Sequence, residues 1–512
     1  MNLDEIAAFL SDPRTHGGHP VEVMRTHAAM VFLAGDRAWK IKRPVVYDYL
    51  DFSRPETRRA MLQRELELNG PAAPQIYDRL VPITREADGR LALEGDGPAE
   101  EWVLKMRRFP AEAELSRVAA RGGLTDALAA DLGRAVAAYH DAAPQRAAEG
   151  PELIAEILDE LGRVFAEMPQ AIGRRHAVAF RTEAGAALDE VAGLLRARAA
   201  AGFVRRCHGD LHLRNLVLID GRPVPFDALE FDERLGTMDV LYDLAFLLMD
   251  LRQAGLARAA NGVLNRWLHH AGAAAHLDAL AALPLFLSVR AAIRAMVAGQ
   301  RAQGATAAEA QAAVTEARAY LAAARAYLAP PAGRAVAVGG LSGSGKSTLA
   351  AALAPDIGPA PGAVHLRSDL IRKAQAGVAE TVPLPAESYT AEASARVYSE
   401  LRSRAARVLA AGHGVVMDAV HLTAEDRAAT AAVAREAGVG FDGLWLEAPA
   451  EVLLARVAGR RGDASDADAA VVRAQLARAE GGGWLRLDAS GAPEATEARA
   501  RAALGLDRCS GQ

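Results

Sequence analysis

The sequence predicts a two-domain protein, an N-terminal α+β domain followed by a C-terminal α/β domain built on a parallel sheet. Three observations carry this. The first hundred residues read as short strands with one helix, and the next two hundred read mostly as helices. Beyond Ala329-Pro330-Pro331-Ala332-Gly333, apolar strands alternate with helical stretches, the pattern of a parallel sheet with crossover helices. Paired prolines cannot continue a helix, so the boundary falls at 329–333, giving domains of 1–328 and 334–512.

Composition narrows the function classes. Among 512 residues, 59 Lys plus Arg face 64 Asp plus Glu, and the net charge of −5 excludes a nucleic-acid binder working by bulk positive charge. Hydrophobic residues reach 51% with 24% charged, which fits neither a disordered chain nor a membrane protein. Cys207 and Cys509 are too few for a disulfide framework or a zinc site, and they fit a reducing cytoplasm. The N-terminus carries no basic segment leading into an apolar run. The most apolar stretch, Leu244 to Met249, is far short of the ~20 residues a spanning helix needs. Only five basic residues are Lys (Lys40, Lys42, Lys105, Lys346, Lys373), and only five residues are Asn (Asn2, Asn69, Asn215, Asn261, Asn265). Against an Arg-rich background, each marks a place to look for a specific need, since a guanidinium does not replace a compact ammonium.

In chain order, His27 to Leu33 and Arg37 to Val46 are β-branched or aromatic runs around the turn signal Ala34-Gly35-Asp36, hence a hairpin. Arg54 to Asn69 reads as a helix with Ser53 as N-cap, Pro55 in the first turn and Gly70-Pro71 as the stop. Glu101 to Phe109 is a further strand. Leu124 to Ala200 has the period of several amphipathic helices. Cys207 to Phe231 alternates strands about Gly221-Arg222-Pro223, and helices resume from Met238 to Leu328. Past the linker, Arg334 to Val338, Gly414 to Met417 and Gly443 to Leu446 are the expected strands.

His208-Gly209-Asp210-Leu211-His212-Leu213-Arg214-Asn215 places a carboxylate and an amide five residues apart on a loop, the spacing of a kinase catalytic loop. Twelve residues on, Phe226-Asp227-Ala228-Leu229-Glu230 adds a carboxylate at a strand end. These motifs resemble the aminoglycoside phosphotransferase-like kinases, whose fold is protein-kinase-like. The resemblance implies Asp210 as catalytic base, Asn215 and Asp227 as magnesium ligands, and Glu230 as a neighbouring acid. It places Asp239 and Asp243 in a structural helix. It also implies a strand lysine for the phosphates and a helix glutamate to orient it, here Lys40 and Glu65, with Lys42 and Glu67 as alternatives. Lys40 and Lys42 point to the same strand face, so spacing does not choose between them. Val103 to Arg107, with Met106, would form the hinge whose backbone holds adenine. No G-x-G-x-x-G precedes Lys40, so phosphate cover would come from Thr26-His27-Ala28 or elsewhere.

Gly340-Leu341-Ser342-Gly343-Ser344-Gly345-Lys346-Ser347 matches G-x-x-x-x-G-K-[ST] at every required position, after a strand and before a helix opening at Thr348. Its glycines let successive N–H groups turn inward around phosphates, and the helix N-terminus adds its dipole. Lys346 would reach the β and γ phosphates and Ser347 would ligate Mg²⁺. Asp418, ending the apolar Val415-Val416-Met417, is the candidate for the magnesium shell. Asp369 and Arg372, three residues apart, offer a base and a cation for phosphoryl transfer. Arg456, Arg460 and Arg461 follow the next strand, where a phosphate-clamping lid is expected. This half resembles the P-loop small-molecule and polynucleotide kinase group, including zeta-toxin-like and chloramphenicol phosphotransferase-like proteins. The whole chain resembles a bacterial fusion of the two types. The resemblance implies a cytoplasmic, bifunctional phosphotransferase with two Mg-ATP sites, each moving a γ-phosphoryl group to a small hydroxyl-bearing acceptor, with no membrane partner and no support for a nucleic-acid one.

Overall fold

The computed structural model describes residues 3–26, 28–47, 50–148, 150–303, 305–459, 463–479 and 483–506. The chain forms two compact units, Met1–Ala148 with Ala199–Leu247, and Glu149–Arg198 with Leu248–Gln512.

In the first unit, β1 (Val21–Arg25), β2 (Ala29–Ala34), β3 (Arg37–Lys42), β4 (Tyr77–Arg85), β5 (Leu91–Leu93) and β6 (Ala99–Arg107) form one antiparallel sheet in the order β1-β2-β3-β6-β4-β5. Gly35-Asp36 closes the expected β2–β3 hairpin with Ala34 opposite Arg37. Two helices clothe the faces. Helix α1 (Leu3–Ser11), which the sequence reading did not anticipate, buries Ile6 and Leu10 against Phe32, Trp39, Ile41 and Val103. Helix α2 (Pro55–Asn69) buries Leu62 against Ala38, Leu104 and Met106. Strand alternation puts Trp39 and Ile41 on the α1 face, and therefore Ala38, Lys40 and Lys42 on the α2 face. Ser53 does not cap α2. The N-cap is Arg54 without a side-chain cap bond, and the Ser53 N–H instead donates to Asp51 Oδ1 at 2.8 Å.

The loop from His208 to Asn215 is pinned by two short antiparallel pairs, Val204–Arg206 with Thr237–Asp239, and Leu216–Ile219 with Arg222–Pro225. The second pair turns at Asp220-Gly221, both at positive φ, one step earlier than the sequence suggests. Helix α3 (Val240–Gln253) opens with Asp239 Oδ1 accepting the Leu241 N–H at 2.8 Å.

The second unit opens with the helices Gly150–Glu167 and Arg174–Ala200, then α4 (Ala257–Ala271), Leu283–Arg301 and Ala307–Tyr327. A longer apolar segment than Leu244 to Met249, which the sequence reading did not single out, lies further along. Ala274–Arg301 is long and apolar enough to cross a membrane by length and composition, with mean hydropathy 1.7, and 67% of that window is buried inside the protein, as a core helix would be. Then come β7 (Arg334–Gly340), α5 (Lys346–Leu353), β8 (Val364–Arg367), α6 (Ser368–Gln375), β9 (Val415–Asp418), β10 (Gly440–Glu447), α7 (Ala450–Ala458) and β11 (Leu485–Asp488). The five strands are parallel throughout, in the order β8-β9-β7-β10-β11, as the alternating pattern predicts. β8 and β11 were not anticipated. Val336, Val338, Leu349, Leu353, Val416 and Leu446 form the core behind the phosphate loop.

Candidate active sites

In the first unit the strand and helix charges meet. Lys40 Nζ lies 2.6 Å from Glu65 Oε1 and 2.7 Å from Asp227 Oδ1. Lys42 Nζ lies 2.7 Å from Glu65 Oε2 and 2.5 Å from Glu230 Oε1. Both lysines therefore take Glu65, one oxygen each, and only Lys40 reaches the Asp227 carboxylate. Glu67 points elsewhere, 3.8 Å from Arg64. Burial opposes the charge on Lys40, but Asp227, Glu65 and Glu230 outweigh it and hold its pKa well above the ordinary value. Burial likewise works against the Asp227 anion, and Lys40 overcomes it, so the carboxylate stays below its usual range.

Asp227 sits at φ +59, a left-handed conformation that costs strain in a non-glycine residue and that its neighbours impose. Its N–H donates to the Tyr77 hydroxyl at 3.1 Å, and the next N–H, of Ala228, donates to Asn69 Oδ1 at 2.8 Å. Tyr77 and Asn69 are positioning residues that sequence reasoning missed, although the scarcity of asparagine flagged Asn69.

The loop from His208 to Asn215 is held from behind by Asp243. Its oxygens accept the Gly209 N–H at 2.9 Å and the His208 N–H at 3.2 Å, and the His140 ring lies 3.1 Å away. His140, Cys207 and Asp243 offer ligand atoms within 4.8 Å of one another, but these bonds make the cluster a clamp on the loop. His208 Nδ1 accepts the Asp210 N–H at 3.3 Å while Nε2 donates to the Phe226 carbonyl at 2.9 Å, tying loop to strand. Burial pushes its pKa down, which keeps that neutral tautomer. Asn215 Nδ2 donates to Asp210 Oδ2 at 2.9 Å, bringing the two expected residues together. Asp210 and Asp227 keep 43% and 44% of their side chains exposed, so this face is open. Carboxylate and amide oxygens are the hard donors magnesium prefers, and the set fits that ion.

In the second unit the phosphate loop has the expected build. Gly340, Gly343 and Gly345 have φ of +138, +86 and +91. A Cβ on Gly343 would come 2.7 Å from the Leu453 carbonyl oxygen and 3.0 Å from Val457 Cγ2 of α7. Helix α5 starts at Lys346 with no side-chain cap, leaving its first N–H groups for an anion. Ser342 donates its N–H to Gln475 Oε1 at 2.9 Å, Lys346 Nζ donates to the Leu341 carbonyl at 3.0 Å, and the buried Ser344 Oγ has no partner among the described residues. Gly345 and Thr348 are exposed, with Lys346 and Ser347 half-buried. This cradle fits a polyphosphate.

Asp418 ends β9, its Oδ2 3.2 Å from His365 Nε2 and 3.7 Å from Arg367 Nε. Burial works against its charge, but His365, Arg367 and Lys346 keep the carboxyl ionised well below the usual range. Asp369, on the first turn of α6, has the opposite fate. Burial and the Asp418 charge push its pKa up, against the pull of Lys346 and Arg367. A carboxylate raised in this way is suited to accept a proton.

Other expected residues are placed differently. Arg372 Nη1 donates to the Ser388 carbonyl at 2.6 Å and the guanidinium lies 4.8 Å over the Tyr389 ring. Arg456 donates to the carbonyls of Ala489, Ser490 and Gly491 at 2.8, 3.2 and 3.0 Å, bracing the chain after β11 instead of offering a phosphate clamp. Arg460 and Arg461 lie outside the described residues. Past them, Asp463 pairs with Arg367 at 2.8 Å. Asp466 gathers Lys373 at 2.6 Å, the Leu384 N–H at 3.0 Å and the Tyr389 hydroxyl at 2.6 Å, which gives the fifth lysine a bracing role. Met106 stays inside β6, buried and paired with Ala38 and Tyr77 on its two sides, so the chain leaves the sheet only from Arg108.

Residues 8–283 match the model of the phosphotransferase enzyme family, and residues 336–481 match an AAA domain. Uncharacterized proteins of Mycobacterium tuberculosis and Mycobacterium bovis are 29% identical over 507 residues, covering 94% of this chain and 96% of theirs. Among solved structures, a choline/ethanolamine kinase family protein from Mesorhizobium loti is 17% identical (TM-score 0.36; 64% of this chain, 99% of that one). The APS kinase of Mycobacterium tuberculosis, in complex with AMPPNP and APS, is 23% identical (TM-score 0.25; 35% and 98%). The phosphotransferase match thus falls on the N-terminal domain and the AAA match on the C-terminal one. As the first match spans more than half its length, the chain belongs to the phosphotransferase enzyme family, with a P-loop domain joined behind it.

Proposed function

We propose that the protein is a bifunctional ATP-dependent phosphotransferase with two separate Mg-ATP sites, each passing a γ-phosphoryl group to the hydroxyl of a small acceptor. One observation carries the reading: each unit sets a lysine within electrostatic reach of one carboxylate, and that carboxylate within reach of a second. In the first unit these are Lys40, Asp227 and Asp210; in the second they are Lys346, Asp418 and Asp369. Asp210 and Asp369 would accept the hydroxyl proton. Lys40, oriented by Glu65, and Lys346 would hold the phosphates. Asn215 with Asp227, and Ser347 with Asp418, would hold magnesium, which when bound neutralises the oxygens of the β and γ phosphates. Arg372 would reach the transferring group after leaving Ser388. The domain boundary at 329–333 and a cytoplasmic location belong to the same proposal.

A second reading has one observation in its favour. Arg372 and Arg367 are both engaged by Ser388 and Asp463, which suits a nucleotide sensor or an ATP-hydrolysing switch in the second unit. Calorimetric titration of a non-hydrolysable ATP analogue with Mg²⁺ tests the pair. Two sites, one lost with Asp227→Asn and the other with Lys346→Ala, followed by two separable transfer activities, is the expected outcome. A single site lost only with Lys346→Ala would overturn the bifunctional reading.

A further inference from the structure

Two of the five asparagines, Asn261 and Asn265, take no part in either site. Both lie on α4, one turn apart and inside the stretch matched by the phosphotransferase family. Asn265 Oδ1 accepts the His365 N–H at 2.7 Å, and its Nδ2 donates to the Ala363 carbonyl at 3.1 Å. Asn261 Nδ2 donates to the same carbonyl at 3.0 Å, and Asn265 Nδ2 also meets Asn261 Oδ1 at 3.0 Å, which locks the two amides in one orientation. β8 is an edge strand, and these bonds satisfy the side of it that faces no other strand. From there the line runs inward. A carboxylate only accepts, so the His365 Nε2–H donates to Asp418 Oδ2 across 3.2 Å.

The same helix holds a second point. Arg266 bonds Glu380, and the rings of His269 and His270 lie 3.3 and 3.6 Å from that carboxylate. Ala363 and Glu380 bracket the segment that carries His365, Arg367, Asp369 and Arg372. One helix from ahead of the linker therefore grips both ends of the strip that faces the acceptor and the metal.

From this geometry we infer that Asn265 is a positioning residue of the P-loop site, setting the Asp418 carboxylate through the backbone and ring of His365. The inference rests on the reading of that loop as a Mg-ATP site. It makes the metal-binding strength of the C-terminal half a property of the longer chain and not of residues 334–512 alone.

The test is titration of a non-hydrolysable ATP analogue, with Mg²⁺ and with EDTA, into the full chain carrying Asp227→Asn. Partners of metal-shell carboxylates typically affect metal affinity by an order of magnitude or more, so Asn265→Ala should weaken the Mg²⁺-dependent affinity about tenfold or more and leave the metal-free affinity unchanged. His365→Ala should do the same, and the double variant should be no worse than the weaker single, since both act along one line. Asn261→Ala leaves the His365 N–H bonded and should stay within about twofold of the parent. Should alanine unfold the chain, Asn265→Ser keeps a polar group but shortens the side chain so that its hydroxyl no longer reaches the His365 N–H, and it should show the same Mg²⁺-selective loss. Unchanged Mg²⁺ affinity, additive losses in the double variant, equal losses from Asn261→Ala, or equal weakening with and without metal would each overturn the relay. Lys346→Ala separates the two levels. Binding that survives it refutes the P-loop reading itself, whereas binding lost in Lys346→Ala but untouched in Asn265→Ala refutes only this inference.

Discussion

Lys40 and Lys42 leave β3 on one face and share one glutamate, yet they differ in what lies beyond it. Lys40 bridges to Asp227, at the open end of the site, while Lys42 is 2% exposed and bridges to Glu230. Removing one partner of a buried ion pair strands the other charge and costs about 3–5 kcal/mol. Lys42→Ala should therefore lower the urea midpoint strongly, whereas Lys40→Ala should lower nucleotide affinity at the first site about tenfold or more with a smaller loss of stability. Equal losses of affinity from both variants would contradict that division. The sequence could not choose between the lysines because a period of two puts both on one face. Glu65 was open to choice against Glu67 for another reason. Arg58, Leu62, Glu65 and Asn69 are buried with the 4-3-4 spacing of a core stripe, but three of the four are polar, so a search for apolar periodicity passes over them. Asn69 and Tyr77 escaped for the same reason: they act through backbone N–H groups far away in sequence, which no local pattern encodes.

Among the elements, the phosphate loop was the most legible, because its chemistry demands a fixed run of residue types and the structure realises it with three glycines at positive φ. Gly343 is the tightest point. Alanine there would need a left-handed backbone and would press on the Leu453 carbonyl and Val457, so the loop must shift. Gly343→Ala should cut nucleotide affinity at this site about tenfold or more and also lower the melting temperature, because a strained non-glycine position costs of order 1–3 kcal/mol and the clash is with backbone. Calorimetric titration and a thermal melt check the two halves of that statement. The strands β8 and β11 were illegible for the opposite reason. Each is four residues long and half polar, Val364-His365-Leu366-Arg367 and Leu485-Arg486-Leu487-Asp488, and each sits at a sheet edge where alternation replaces the apolar run of a buried strand. Arg456 of α7 shows the limit of composition. In a chain with 54 arginines, position alone does not separate a phosphate ligand from a brace, and Arg456 proved a brace.

For the whole molecule, two buried histidines set an acid limit. Burial lowers the pKa of His413 from 6.5 to about 4 and that of His421 to about 3, and Nε2 of each lacks a partner among the described residues. Both rings are neutral when folded, and the unfolded chain takes up protons that the folded one refuses as pH falls below 6.5. The stability they contribute is full above pH 6.5 and is lost on the way down to about 4, by about 3 kcal/mol for His413. Urea titrations from pH 7 to 4.5 should show this decline, and His413→Leu should start lower but fall less steeply; an unchanged slope would exclude His413 as a source. At this scale the sequence was least informative about where one unit stops. The paired prolines mark a break in helix, but the α4 asparagines and Arg266 bond the strand and loop beyond it, and such side-chain bonds leave no trace in composition.

The two units are also interleaved along the chain, since Glu149–Arg198 of the second comes between the two segments of the first. During synthesis, the helices of that insert emerge before Asp210 and Asp227 exist, and they wait for partners that begin only at Leu248. Neither unit can be completed in the order in which it is made. The first closes only once residue 247 has left the ribosome; Phe165 meets Phe180 within the insert, but the rest of its apolar face, such as Ile154, Leu158 and Leu161, still waits for later helices such as Leu283–Arg301, so this is the stretch where a holding chaperone has most to offer.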